Sequence, residues 1–438
     1  MRTAGTLLLS GLTASLSAQE GPRVVRLDPP HLALAVEPKS QELVITFDHD
    51  MDTGGYSVCG GGTTFPQVEA TSWRDARTFV IRASLQPQRA YAMELSCVTA
   101  NGFRGKDGTR LAPQPWRFAT AATQPADPQQ KVRNEAAIAR LETAIAERYS
   151  YRDRLGIDWH ELVEDRRADL LAAPTDAALA VLLADMLAAG QDPHISVRFQ
   201  DGQLATSSRA APPNFRADAL AKALPGLRKV NKIALAGRTD DDIGYLMVAT
   251  FERGQRDAFE QALEALRSLR DCKALVLDVR MNGGGDELMA QRLAAFFVAE
   301  TKVYAAHRTR DPKAADGFTE RQERTIRPNQ APDLYTGPVA VLMGPANMSS
   351  CEAFLLMMKQ APKAKLIGAT SAGSSGNPMP HTLAAGLQVL LPSWQALRPD
   401  GSCFEGEGIT PDIRIENDEG GAGDAVLQGA LDRLRGKQ

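Results

Sequence analysis

The 438-residue sequence predicts a multidomain protein: an all-β sandwich at the N-terminus, a helical segment, and a layered α/β core. Three observations carry that prediction. Residues 22–120 hold short alternating or apolar runs separated by Gly, Asp and Asn clusters, the pattern of a sandwich. Residues 133–199 show helical periodicity. From about residue 240, strand-like and helix-like segments alternate, which implies layers of helix on sheet. A chain of this length normally divides into two or three units, each able to bury its own core.

Within 22–120, Leu43-Val-Ile-Thr-Phe47, Phe79-Val-Ile-Arg82 and Tyr91-Ala-Met-Glu-Leu95 read as strands. Phe47 through Met51-Asp52, the Leu-x-Pro-x-x-x-Tyr run ending at Tyr91, and Trp116-Arg-Phe118 resemble the bacterial Ig-like modules of secreted proteins. That resemblance implies a spacing or binding module without chemistry of its own. Residues 121–132 are a linker by composition, and the helical part occupies 133–199. There Asn134 caps a helix that repeats Ile138, Leu141, Ile145 and Tyr149 on one face. Asp158 caps a second helix and Thr175 a third. Gly190 ends the third, leaving Gln191-Asp192-Pro193-His194 at its exit.

The core spans 200–438. Its expected strands are Gly244 to Thr250, Lys273 to Asp278, Val339 to Met343, Leu366 to Gly368 and Leu387 to Leu391. Helices are expected over 255–270, over Leu288 to Val298, and from Ser349 through Met358. The charge-rich stretch from Arg308 to Arg327 is expected to be a surface loop, with a lid as the alternative.

Composition excludes some functions. The chain is 43% hydrophobic and 24% charged, ordinary for a globular protein. A net charge of -3 opposes nucleic-acid binding, because phosphate contacts need a positive surface. No apolar run of about 20 residues follows the N-terminus, so no membrane span is expected. Arg2, the apolar Leu7-Leu8-Leu9 with Leu12 and Ala14, and small residues Ser15, Ser17 and Ala18 make 1–18 a signal peptide. An exported, periplasmic or extracellular protein follows from it. In that setting Cys59–Cys97 and Cys351–Cys403 are candidate disulfides, with Cys272 left over and buried before a strand. There is no C-x-x-C or H-E-x-x-H and the six histidines are scattered, so no metal or other cofactor is expected.

Three segments carry candidate chemistry. Asn347-Met-Ser-Ser-Cys-Glu-Ala-Phe354 lies at a strand-to-helix transition, where a serine is held at a tight turn. The helix N-terminus there offers amide hydrogens to a developing oxyanion. Ser349 and Ser350 are equal candidates on this segment alone, and either serves equally as a helix cap with Glu352 in the first turn. Asp278-Val-Arg-Met-Asn-Gly-Gly-Gly285 runs a strand into glycines that let backbone approach a ligand. A phosphate loop is disfavoured because no Gly-Lys-Ser/Thr follows, and a plain tight turn remains open. Asp192-Pro-His194 places an imidazole after a helix, as a general base or as a structural side chain.

In order along the chain stand Asp-Pro-His194, the 278–285 segment, Asn347-x-Ser-Ser-x-Glu352, Thr370-Ser-Ala-Gly-Ser-Ser-Gly-Asn377 and Phe404-Glu-Gly-Glu-Gly-Ile-Thr-Pro-Asp412. The series resembles the tail-specific, or C-terminal-processing, serine peptidase family over roughly 133–415. The resemblance implies a crotonase-like α/β spiral core behind a helical part. It also implies Ser349, three residues before Glu352, as nucleophile. The amides of Ser350 and of the glycine turn at Gly284 would form the oxyanion hole. The bacterial processing branch has a lysine base in a Gly-Lys-Gly-Thr stretch, whereas Ala372-Gly-Ser-Ser-Gly376 has serine there. The sequence is therefore more similar to the tricorn-core and retinoid-binding-protein branch, which implies His194 as base and Glu405, or Glu407, as its orienting carboxylate. The 45 residues from Phe199 to Gly244 leave no room for the PDZ domain of many relatives.

The expected activity is hydrolysis of a protein or peptide substrate by a serine endopeptidase. The alternative is a non-catalytic ligand- or peptide-binding module on the same fold, and a serine esterase is disfavoured because no G-x-S-x-G elbow occurs.

Overall fold

The computed structural model describes residues 21–97, 102–125, 127–207, 211, 214–329, 333–418, 421 and 423–437; the expected signal peptide lies outside them. Two four-stranded sheets form the N-terminal region. One runs Val24–Asp28, Ser40–Phe47, Thr78–Ser84, Gln67–Asp75; the other runs Ala33–Val36, Gln114–Thr120, Ala90–Leu95, Val58–Cys59. Inward residues of both, among them Leu43, Ile45, Phe79, Met93, Trp116 and Phe118, share one core. Period-2 alternation makes this possible, since each strand turns every second side chain to the partner sheet. Cys59 and Cys97 are joined in a disulfide.

Three helices follow, Gln130–Arg148, Trp159–Ala172 and Asp176–Leu187. Asp158 and Thr175 cap the second and third with their side-chain oxygens. The first begins four residues before the expected cap. Asn134 is buried inside it and binds Leu171 O and Ala173 O, so it ties two helices together. The third helix packs on the second N-terminal sheet, and buried Arg117 of that sheet reaches Asp185, Ala205 O and Thr206 O.

The core sheet has seven strands in the order Arg228–Lys229, Ala234–Arg238, Ile243–Val248, Ala274–Asp278, Val339–Met343, Ala364–Gly368, Ile413–Arg414. The last five are parallel. Both faces are covered, so the parallel strands read as continuous apolar runs. Leu275, Leu277, Val339 and Val341 face one cluster, while Val276, Ala340 and Leu342 face another. The Arg308 to Arg327 stretch corrects the surface-loop expectation in part. Lys302–Thr309 and Gln322–Ile326 pair as a hairpin, and Lys302–Thr309 also pairs with Trp394–Leu397. Arg308 and Arg310 stack on Phe318 in its turn, which is how so charged a segment stays ordered.

The second cysteine pairing is also corrected: Cys351 and Cys403 are both free. Cys351 points from its helix into the main core, whereas Cys403 packs against the helical cluster, so their side chains belong to different cores. Cys272 is free and buried, as expected.

Candidate active site

Residue 349 follows the strand Val339–Met343 at the carboxyl end of the parallel sheet, where open α/β sheets place ligands. Its turn is held from below. Buried Asn347 accepts from Gly344 N at 2.8 Å and donates to Val279 O at 2.6 Å and Asn282 O at 3.1 Å. Ser349 then adopts φ 56° and ψ -128° immediately before the helix Ser350–Met358. A non-glycine residue at positive φ is costly, and such strain concentrates at functional turns. Ser349 occupies the N-cap position, but its side chain makes no capping bond and is left for other work. The Ser350 hydroxyl does not cap the helix either: its Oγ donates to Gly285 O at 2.7 Å, and the residue is buried.

The glycine turn lies against this helix start. Gly284 has φ 100°, and a Cβ there would sit 2.9 Å from Ser349 Cβ and 3.0 Å from Ser350 N. Only glycine permits that approach. The Gly284 amide, however, donates to Asn282 Oδ1 at 2.8 Å. Phe251 pairs with this turn through Gly284 O and Asp286 N, which leaves the carbonyl of Gly285 to accept from Ser350 Oγ.

His194 lies just after the third helix. Asp192 Oδ1 accepts from its amide at 2.9 Å, and Asp192 Oδ2 accepts from Tyr149 Oη at 3.0 Å. Burial, then Asp192 itself, pushes the Tyr149 hydroxyl well above its ordinary pKa and keeps it a donor. His194 Nδ1 meets Ser374 Oγ at 2.8 Å, and Ser374 O accepts from Ser349 N at 2.7 Å. Ser349 and His194 are thus joined through Ser374.

Ser374 is in turn fixed by Glu352. That carboxylate is fully buried and accepts from Ser371 Oγ at 2.6 Å, Gly373 N at 2.7 Å and Ser374 N at 2.9 Å. Burial pushes its pKa up to about 7, against the pull of those donors. Glu405, also buried, accepts from Ser375 N at 2.7 Å and Ser375 Oγ at 3.2 Å, and Tyr151 Oη contacts Ser375 Oγ at 2.9 Å. Glu407 instead points to Arg398, with its side chain 68% exposed. A cleft of about 260 Å³ opens in front of Ser349, with Ser375, Asn377, Trp394, Phe404, Arg324 and Glu287 in its walls.

Sequence reasoning placed Ser349, Ser350, Gly284, His194 and Glu405 around one site, but missed Ser374 and gave Glu352 only a capping role. The signal for Ser374 was its place in the 372–376 segment, where the resemblance expects lysine. Elsewhere, Glu142, His160 and Glu164 cluster at metal-ligand distances, but the two glutamates bind Arg167, which makes this an exposed ion-pair network.

The pattern of peptidase family S41 matches residues 242–415. That segment is a peptidase family S41 domain. It is 26% identical over 174 residues to the carboxy-terminal processing protease CtpB of Bacillus subtilis (strain 168), covering 40% of this chain and 34% of that protein. The match therefore spans about a third of that relative. A solved structure from Parabacteroides merdae, described as a candidate peptidase, superposes with a TM-score of 0.59 at 23% identity, covering 70% of this chain and 96% of that one. Mature CPAF superposes at 0.51 with 14% identity, covering 69% and 96%. Both show a shared fold. The S41 domain contains Gly284, Ser349, Glu352, Ser374 and Glu405, while His194 comes from the helical segment before it. No helix among the described residues is long and apolar enough to cross a membrane.

The buried carboxyl of Glu352 makes a testable statement about stability. Its pKa is higher folded, about 7, than unfolded, near 4.5. Its contribution is then fully present below pH 4.5 and lost as pH rises through 7, by on the order of 3 kcal/mol. Urea titrations from pH 4.5 to 8 should show the stability lead of wild type over Glu352→Gln shrinking with rising pH. A constant difference would mean that Glu352 ionises as easily folded as unfolded.

Proposed function

We propose that this protein is an exported serine endopeptidase, with Ser349 as nucleophile, His194 as general base and Glu405 supporting the base through the 374–375 segment. The N-terminal sheets serve as an Ig-like spacing or binding module, and the α/β part is a crotonase-like spiral. The observation that carries the reading is the backbone of Ser349. It is held at positive φ at a helix start, with no capping bond, against a glycine turn. In the mechanism, His194 takes the proton of Ser349 Oγ as that oxygen attacks the peptide carbonyl. The amides of Ser350 and the glycine turn face the developing oxyanion, and Gly284 N, the donor expected from the turn, is held by Asn282 Oδ1 in the resting site. His194 returns the proton to the leaving amine, and water hydrolyses the acyl-enzyme.

Fluorophosphonate labelling of the full chain tests this. Wild type and Ser350→Ala should label, since Ser350 contributes its amide and alanine keeps it. Labelling that persists in Ser349→Ala but vanishes in Ser350→Ala would move the nucleophile by one residue. No labelling of wild type would favour a binding module.

A further inference from the structure

We infer that Ser374 is a positioning residue that orients His194 through Nδ1 and leaves Nε2 to serve Ser349. The inference rests on the peptidase reading above and goes beyond it by giving the serine in the lysine position a role of its own.

Ser374 Oγ and His194 Nδ1 are 2.8 Å apart, which by distance alone also suits a nucleophile and its base. Exposure decides between the two roles. Ser374 is 0% exposed, so no peptide carbonyl can reach its hydroxyl, whereas Ser349 is partly exposed on the cleft. A buried hydroxyl on one imidazole nitrogen fixes the ring plane and decides which nitrogen faces the nucleophile.

The backbone of the same residue does a second task, because Ser374 O accepts from Ser349 N at 2.7 Å. One residue therefore sets the position of both proposed partners. It is held in turn by Glu352, which binds Gly373 N and Ser374 N from beneath. The substitution of serine for lysine at this place then has a chemical meaning. A lysine there would itself be the base, whereas a serine is too weakly basic and too deeply buried. What it can do is accept Nδ1–H, which stabilises the imidazolium formed when Nε2 takes the Ser349 proton.

The direction of the pH effect follows. An acceptor on Nδ1–H favours the protonated ring, so removing it lowers the pKa of His194. The other ionisable groups around this turn are Asp192 beside the histidine, Tyr149 and Arg154 from the end of the first helix and the turn after it, Tyr151, Glu352 from the nucleophile helix, and Glu405. All of them remain in place in a Ser374 variant.

The test uses the full chain as wild type, Ser374→Ala and Ser374→Thr. Fluorophosphonate labelling rates are measured from pH 5 to 9, with His194 followed by ¹⁵N NMR and assigned by its loss in His194→Ala. Ser374→Ala should label about 10–100-fold more slowly, shift the acidic limb of its rate profile to lower pH, and lose the Nδ1–H tautomer. Ser374→Thr should restore the wild-type profile to within a few-fold, and if the extra methyl prevents folding, the NMR comparison of wild type and Ser374→Ala still decides. The inference is overturned if wild-type His194 carries its proton on Nε2, or if Ser374→Ala leaves tautomer and rate profile unchanged. Wild type that never labels, yet shows an Nδ1–H tautomer dependent on Ser374, would sink the peptidase reading and with it the service of Nε2 to Ser349, leaving only the orientation of the ring by Ser374 standing.

Discussion

Ser349→Ala is expected to lower peptide hydrolysis by about 10⁴–10⁶-fold and to remove fluorophosphonate labelling altogether, with no change in fold. The size follows from what alanine deletes. The attacking oxygen is gone, so only binding and the oxyanion amides remain, and these supply a residual of about 10³–10⁴ over water. The fold should tolerate the change because the Ser349 side chain makes no capping bond, and its structural work is done by backbone: N to Ser374 O, and O to the amides of Glu352 and Ala353. Adding His194→Ala should cost almost nothing further, since a base without its nucleophile has no task. Losses that instead multiplied in the double variant would show that the two residues act independently. Ser350→Ala should keep a nucleophile but lose the 2.7 Å bond that braces Gly285, and so act more slowly. Kinetics with a quenched-fluorescent peptide pool, together with unfolding midpoints, check all three.

The parts of this molecule legible in its sequence share one property: their signal is local. Strands such as Ala274–Asp278 and Val339–Met343 announce themselves because burial on both faces demands unbroken apolar runs. Asp158 and Thr175 are legible because a cap bonds to amides two or three residues away. Failures came where a polar side chain answers to something distant. Asn134 has the residue type of a cap, but its amide nitrogen donates to carbonyls 37 and 39 residues on, at the end of another helix. Glu352 fits first-turn capping chemistry equally well, yet its oxygens bind a loop about 20 residues away. Ser374 meets His194 across 180 residues, and only its place in the 372–376 segment marks it. Cys351 and Cys403 were paired from the proximity of their segments, although side-chain direction, set by which face of a helix is buried, keeps the sulfurs in separate cores.

Arg280→Met is expected to destabilise the protein by about 3–5 kcal/mol, the largest stability loss anticipated for a single polar substitution here. Arg280 and Asp278 are wholly buried at the strand end, and Asp424 is almost so. The guanidinium binds Asp278 Oδ2 at 2.7 Å, Asp424 Oδ1 at 2.8 Å and Asn214 O at 2.7 Å, and it stacks on Phe215. Burial opposes its charge, but the two carboxylates outweigh burial and hold it above the ordinary arginine pKa. Methionine fills much of the volume and leaves both carboxylates without their cation, which costs more than the pair itself is worth. Asp278 retains only the Tyr245 hydroxyl at 2.8 Å and the backbone amide of residue 280 at 3.0 Å, and Asp424 only its capping bond to the last helix and a long contact from Asn417. Neutralising the orphans in Arg280→Met/Asp278→Asn/Asp424→Asn should recover part of the loss, because uncharged amides are far cheaper to bury. Urea midpoints and slopes for the single and triple variants measure this, and a single variant within 1 kcal/mol of wild type would mean that water reaches the carboxylates. The effect should also reach the chemistry. Arg280 stands two residues before Asn282, whose side chain holds Gly284, so loosening the strand end loosens the glycine turn against which Ser349 is set. In the triple variant, recovered stability with slow labelling would show that Arg280 holds this turn by its geometry and not only by its charge.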